Sequence, residues 1–463
     1  MKGIRNINLS FVALMFFLPA TLFSQTVIEV SGVINQNVNW DADTVKVIGN
    51  VSVVSGSTVN ILPGTIIKFQ GHYKLSVLDG VILAVGTETD SIVFTTENIE
   101  TGWHGVRFYE NQSSDTSKFF YCLFEHGMAY DEGDDYDENG GAIFSLLHDQ
   151  VILSNCTFQN NQAIFGGAIA LGNADIIIIS CIITHNYASF SAGAIDASYS
   201  GIKLINSLLN NNSSGSRGGA LELTGTVPLT IVNTSICNNM SFKGGGIFCD
   251  ASPILKNCIL WGNVAGSCGD QVFIQDLWGQ NSEPQFFFCN VEGGKESFCL
   301  DNYTNPVYEF DYENYFNIDE FPEFTDSTNH NFSLTAISPC INVGTPNSLS
   351  LGLPDFDLAG NPRVVDGRID IGAYEYPYPV LIRQIKEDHI LVFPNPAKQI
   401  IHIKSPVSLK NSLIEVFSAY GSRVKHLVLS DNSLNIEDLH PGIYILKIRI
   451  KDEYVIIKRL VKE

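Results

Sequence analysis

Glycine recurs in this chain with a fixed step. Gly-Gly or Gly-Ala pairs followed by an apolar residue begin at Gly141, Gly167, Gly193, Gly219 and Gly245, 26 residues apart each time. The tracts read GAIF, GAIA, GAID, GALE and GGIF. Alternating with them are NCTFQNN from Asn155, SCIITHN from Ser180, NSLLNNN from Asn206, NTSICNN from Asn233 and NCILWGN from Asn257. Self-similarity at such a period means one supersecondary unit stacked on copies of itself. The unit holds short β runs, such as Ile176 to Ile179 and Ala168 to Leu171, broken by Asn, Gly and Ser, with no amphipathic helical period between them. Three short strands and three turns in each period predict an all-β fold, a right-handed parallel β-helix.

The same stacking explains the residue choices. Coils that hydrogen-bond at about 4.8 Å place equivalent positions in columns. Inward columns take Ile, Val, Leu and Cys. Turn columns take a side chain that tolerates left-handed backbone and bonds its neighbours, which predicts stacked asparagines at Asn161, Asn186, Asn212, Asn239 and Asn263. The paired glycines predict a bend with no room for Cβ. Cys122, Cys156, Cys181 and Cys258 share a coil position, where parallel side chains do not converge as a disulfide needs, so they read as small buried hydrophobes. Cys289 and Cys299 are a candidate pair in a loop-rich segment; Cys237, Cys249, Cys268 and Cys340 stay unassigned.

The two ends differ from the body. Lys2 and Arg5, an apolar stretch from Phe11 to Leu18 and a small residue at Ser24 predict a secretory signal peptide over residues 1–24. No later run is long enough to span a bilayer as a helix. Residues 1–380 hold 14 Lys and Arg against 40 Asp and Glu, net −26, whereas residues 381–463 hold 13 against 9, net +4. So acidic a body excludes nucleic acid as a partner and repels polyanionic glycans unless cations bridge them.

Along the chain, residues 25–110 read as opening coils, 111–284 as regular coils, 285–376 as a loop-rich closing segment that caps the solenoid, 377–389 as a linker and 390–463 as a second domain. The alternating runs VNILPGTIIKF, LSVLDGVILAVGT and SIVFTTEN resemble the opening of exported bacterial β-helix proteins, a pectate-lyase-like architecture. SPCINVGTPNSLSLGLPDFDLAGNPRVVDGRIDIGAYE, from Ser338 to Glu375, resembles the closing segment of an uncharacterised group of β-helix proteins with differing C-terminal anchors. Its residues alone predict Asp355, Asp357, Asp366 and Asp370 bonding turn amides. In the last domain, ILVFPNPAKQIIHI, LIEVFSAYGSRV, LNIEDLHPGIYILKIRI and VIIKRLVK predict a β-sandwich of about seven strands, with Val392, Ile401, Ile403, Val416, Ile443, Tyr444 and Ile445 in its core. The order FPNP, then Gly, then L-x-P-G-I-Y resembles the sorting domain of type IX secretion cargo in Bacteroidota. That resemblance implies the type IX secretion machinery as a partner and a secreted or outer-surface location.

Candidate chemistry is sparse. No Asp-Asp pair lies on a strand, as a polygalacturonase-like hydrolase would need. Arg217 and Lys243 share a column where a lyase base would stand, but Ser191 and Phe165 precede them, and solvated surface charge is the expectation. The acidic insertion YDEGDDYDENG, from Tyr130, contains Asp135, Asp137 and Asn139 in the spacing of half an EF-hand loop. Leu146 stands where such a loop needs its closing Glu, so these three residues predict at most a weak Ca2+ site. The aromatic run from Tyr303 to Phe324 reads as a cover over the core. No catalytic residue is assigned. The chain is expected to be an exported, non-catalytic binder of glycans or cell surfaces, the alternative being a calcium-assisted polysaccharide lyase.

Overall fold

The computed structural model describes residues 26–110, 115–130, 133, 136–275, 282–301, 315–365, 367–377, 391–404, 409, 412–418, 422–429, 432–450 and 454–463. The signal-peptide expectation, residues 1–24, and the linker expectation apart from Pro377 therefore fall outside the described residues. From Val27 to Asp301 the chain winds as a parallel β-solenoid of about nine turns, every strand pairing in parallel with its equivalent one coil away. The coils continue through Gln285–Phe287, Asn290–Val291 and Phe298–Asp301, each pairing back onto the preceding coil.

A typical coil has four strands where the sequence predicts three. In one period they are Ile169–Gly172, Ile176–Ile179, Ile182–Thr184 and Tyr187–Ser191. The fourth forms a separate five-stranded sheet with Gln162–Phe165, Ser213–Ser214, Met240–Lys243 and Val264–Cys268. Its strands were hidden because they are rich in Ser and exposed aromatics, with a register shift in two of the pairings.

Inside, residues two apart along each strand fill the core. Ile143, Ile169, Ile195, Leu221, Ile247 and Val272 stand in one register column, all buried. Phe94, Phe124 and Phe158 stack in another, with ring centroids 4.7 Å apart at both steps. That separation is the strand spacing itself.

The asparagine ladder forms. Asn161 Nδ2 donates to Asn186 Oδ1 at 2.9 Å, Asn186 to Asn212 at 2.9 Å, Asn212 to Asn239 at 3.0 Å and Asn239 to Asn263 at 2.9 Å. Each backbone N–H from Asn161 to Asn239 also donates to the next Oδ1. Left-handed backbone, however, belongs to the preceding residue: Asn160, His185, Asn211 and Asn238 have φ between 53° and 57°. The two tasks assigned to one residue are thus divided between neighbours. The glycine pairs divide their work likewise. Gly166, Gly218 and Gly244 have positive φ, while a Cβ on Gly167, Gly193 or Gly219 would collide with the backbone carbonyl of the glycine one coil on.

Cys122, Cys156, Cys181 and Cys258 are buried and free, and Cys156 and Cys258 donate S–H to carbonyls of the preceding coil. Cys289 joins them, lying 3.4 Å from Cys258 N. It is therefore not the partner of Cys299, which forms a disulfide with Cys268, Cα to Cα 5.8 Å.

The segment from Tyr315 to Tyr376 lies against the side of the coils. Phe332, Leu334, Cys340 and Ile371 pack on Leu208, Cys237 and Ile259, and Leu351 and Ile369 on Ile205 and Val232. In the last domain, three- and four-stranded antiparallel sheets supply seven strands among the described residues. Ile401, Ile403, Val416, Tyr444, Leu446 and Ile448 are buried, but Ile443 and Ile445 are exposed. A strand has two faces, so Tyr444 cannot share its side with both neighbours.

Candidate functional site

Within the predicted ion loop, Asp137 turns inward. Asp135 lies outside the described residues. Asp137 is buried, with Lys74 Nζ 3.1 Å from its Oδ1 and His104 Nε2 3.5 Å from the same oxygen. The Asn139 side chain donates to Tyr136 O, while the carbonyls of Asn139 and Gly140 accept from Arg107 Nη1 at 2.6 and 2.5 Å. Asp137 Oδ1, one of the oxygens that the spacing offered to a cation, thus faces the protein's own Lys74. Burial, then Arg107 and His72, pushes His104 down to about 3, so its imidazole is neutral. Burial lowers Arg107 to about 10, still charged at neutral pH.

A second cluster sits in the angle between the glycine-tract strands and the five-stranded sheet. The final residues of the tracts form one register column: Phe144, Ala170, Asp196, Glu222, Phe248 and Phe273. They point away from the core, yet each is at most 6% exposed. Two carboxyl groups therefore occupy adjacent coils. Asp196 accepts from Ser191 Oγ at 2.6 Å and Ser198 Oγ at 3.0 Å. Glu222 Oε1 lies 3.3 Å from Arg217 Nη1, and its Oε2 is buried without a hydrogen-bond partner. Burial and the adjacent Asp196 outweigh Arg217 and raise Glu222 to about 8; burial raises Asp196 as well. Two carboxyls pressed together out of water keep a proton that either would release alone.

Arg217 and Lys243 do share a column, bridged in parallel to Ser191 and to each other. They are not simple solvated charges. Arg217 lies 4.9 Å over the Phe190 ring and 5.1 Å over Phe248, with its side chain 28% exposed. Lys243 lies 4.8 Å over Phe273 and 3.4 Å from Asp301. Cations on ring faces with a carboxylate alongside are held in place. The acidic pair escaped detection because it lies across two coils and not along one strand. Its signal was the fourth letter of each glycine tract, where Asp and Glu replace Phe and Ala.

Beside this cluster the five-stranded sheet exposes Tyr187, Phe190, Met240, Phe242 and Val264, each at least 40% accessible. Between the strands carrying the two phenylalanines runs Ser213–Arg217, a coil whose small residues stand only backbone-high; Ser216 N donates to Phe190 O and Lys243 N to Ser216 O. In the aromatic run, residues 302–314 lie outside the described residues. Tyr315 packs 4.4 Å from Phe287, Phe316 5.0 Å from Phe288 and Phe321 5.9 Å from Trp261.

The closing segment builds a buried charge knot. Arg363 pairs with Glu375 at 3.1 Å. Asp357 accepts from the backbone of Ala359, Asn361 and Glu375, and Asp370 from that of Asn342 and Tyr376. Two of the four predicted turn-bonding aspartates thus have that task, and Asp366 lies outside the described residues. Burial raises Glu375 to about 9 and Asp370 to about 6. These groups are buried and tie loops together, so their role is structural.

Among the described residues no helix is long and apolar enough to cross a membrane. A comparison with the curated proteins finds no match to the chain. Residues 391–463 match the secretion system C-terminal sorting domain, so the seven-stranded tail is a type IX sorting domain and the chain is exported to the cell surface or secreted.

Proposed function

We propose that the exported solenoid is a non-catalytic binder of glycans or glycan-bearing cell surfaces, and that it binds through the outer face of its five-stranded sheet. One observation carries this reading: Tyr187, Phe190, Met240, Phe242 and Val264 are exposed together on one sheet, beside two cations fixed by ring contacts. An exposed apolar patch bordered by polar groups marks an interaction surface. Flat rings with nearby hydrogen-bonding groups suit the apolar face and hydroxyl edge of a pyranose. Phe190 and Phe242 lie two coils apart, roughly 9–10 Å along the solenoid axis from the strand spacing, a length comparable to a disaccharide.

The test is co-sedimentation of the mature protein with insoluble polysaccharides and with cell-envelope preparations. Binding is expected, and Phe190→Ser with Phe242→Ser should abolish it while far-UV circular dichroism stays unchanged. Binding that survives the double substitution would move the site elsewhere. Release of unsaturated, ultraviolet-absorbing product from a uronate polymer with calcium would establish the lyase alternative instead.

A further inference from the structure

We infer that the saccharide held at this face is uncharged, and that Arg217 recognises it as a positioned hydrogen-bond donor. This rests on the glycan-binding reading above and narrows it to a ligand class.

The argument begins with charge. Arg217 lies against a pair of carboxyl groups, Asp196 and Glu222, and Lys243 against Asp301. Each cation already has acidic groups of the protein for neighbours, which an anionic sugar would have to approach. The surroundings reinforce this, since residues 1–380 carry a net charge of −26. A uronate or sulfated polymer drawn along the sheet would meet that field over its whole length.

The geometry favours a neutral partner. Contacts with Phe190 and Phe248 restrain the guanidinium plane, and Glu222 takes one of its Nη groups at 3.3 Å. Its Nε is buried, so contact with a ligand falls to the outer part of the guanidinium, the side chain being 28% exposed. An arginine restrained in this way loses little side-chain freedom on binding, so its unused donors are arranged in advance for fixed acceptors. Adjacent hydroxyls on a sugar ring supply such acceptors without adding charge. Strand Ser213–Ser214 and the two residues after it carry only small side chains before Arg217, so nothing bulky on that coil stands between Phe190 and Phe242. Glu222, with its side chain 5% exposed, acts through Arg217 as a positioning residue.

Affinity gel electrophoresis of the mature protein tests the inference, with xyloglucan, mannan and hydroxyethyl cellulose as neutral probes and polygalacturonate and alginate as acidic ones. Runs at 20 and 200 mM NaCl, with and without calcium, separate charge from shape. Retardation by at least one neutral polymer is expected, unchanged by salt and weakened at least tenfold by Arg217→Ala and by Arg217→Lys. Glu222→Gln, which keeps an oxygen acceptor for Arg217, should retain most of the binding, whereas Glu222→Ala should lose it. Thermal melts establish that each variant is folded. Binding confined to acidic polymers, and lost with Phe190→Ser and Phe242→Ser, would overturn the neutral-ligand inference while leaving the binding face standing. Neutral binding indifferent to Arg217→Ala would overturn it too. If the wild-type chain bound no polymer of either kind, both readings would fall.

Discussion

Asp196 and Glu222 are register partners on adjacent coils, and Arg217 Nη1 lies 3.3 Å from Oε1 of the second of them. Repetition makes this relationship: a column that carries Phe and Ala elsewhere brings two acids together once the sequence places them one period apart. Burial then lifts Glu222 to about 8.

That shift sets a pH dependence. A carboxyl group whose folded pKa exceeds its unfolded value of 4.5 binds more protons in the folded state between the two values. Stability from this group is therefore full below about 4.5 and is lost as pH rises to about 8, with a limiting slope of about 1.4 kcal/mol per pH unit for one proton. Urea melts across that range should show the decline in the wild type and a flatter profile in Glu222→Gln. Parallel profiles would mean that Glu222 titrates normally.

The ladder gives the clearest stability prediction. Asn186 has both side-chain polar atoms engaged with neighbouring coils and is 1% exposed. Asn186→Ala leaves the buried N–H of Asn161 without its acceptor and strips Asn212 Oδ1 and Phe158 O of a donor, and should cost about 2–3 kcal/mol. Asn211→Gly, at a left-handed position one residue before the ladder, should cost little or raise stability slightly. Equal losses at the two sites would show that the division of labour between neighbours is wrong.

The glycine pair makes an opposite-sign test. Ala192 has φ 55° where other coils place glycine, and Ala192→Gly should stabilise by about 0.5–1 kcal/mol, the relief of left-handed backbone less the entropy cost of glycine. Gly193→Ala, the adjacent residue, puts a Cβ 2.5 Å from Ser213 N and should destabilise by about 3 kcal/mol or more. Thermal unfolding of the two single variants measures both signs.

Calcium at the acidic insertion is proposed to compete with Lys74 for Asp137. Millimolar calcium should raise the unfolding midpoint of Lys74→Met by more than that of the wild type, because the variant frees the carboxylate. Identical shifts in both proteins would place any bound calcium away from Asp137.

Removing residues 391–463 should leave a folded solenoid that no longer crosses the outer membrane. The tail buries its own cluster, including Ile401, Ile403, Ile414, Val416 and Leu446. Cell fractionation should find the shortened protein in the periplasm, with its circular dichroism retained. Appearance in the medium would contradict the sorting role.

Periodicity made much of this molecule legible. The fixed step revealed the stacked coils, the ladder from Asn161 to Asn263 and the inert cysteine column, because a column repeats one environment and chance does not repeat one residue. The tail was legible through spaced turn motifs. What stayed hidden lies between elements. The acidic pair spans two coils, the partner of Cys299 is 31 residues away on another sheet, and the inward turn of Asp137 depends on Lys74, 63 residues upstream. Spacing along a chain reports which residues can share a strand face; it says little about which cation a carboxylate will meet.

The asparagine ladder has a consequence for how such a chain changes over time. Each rung donates toward the C-terminal end and accepts from the N-terminal side, so every interior coil presents the same pattern to both neighbours. Duplicating or deleting one whole coil between Asn161 and Asn239 would leave all remaining rungs intact, whereas inserting one residue would shift the strand faces and break them. Only the ends are singular: Gly127 N donates to Asn161 Oδ1, and at the far end Asn263 donates to Gln271, which donates to Glu292. Evolution can therefore adjust the length of this rod in whole coils, with its two terminations preserved as fixed fittings.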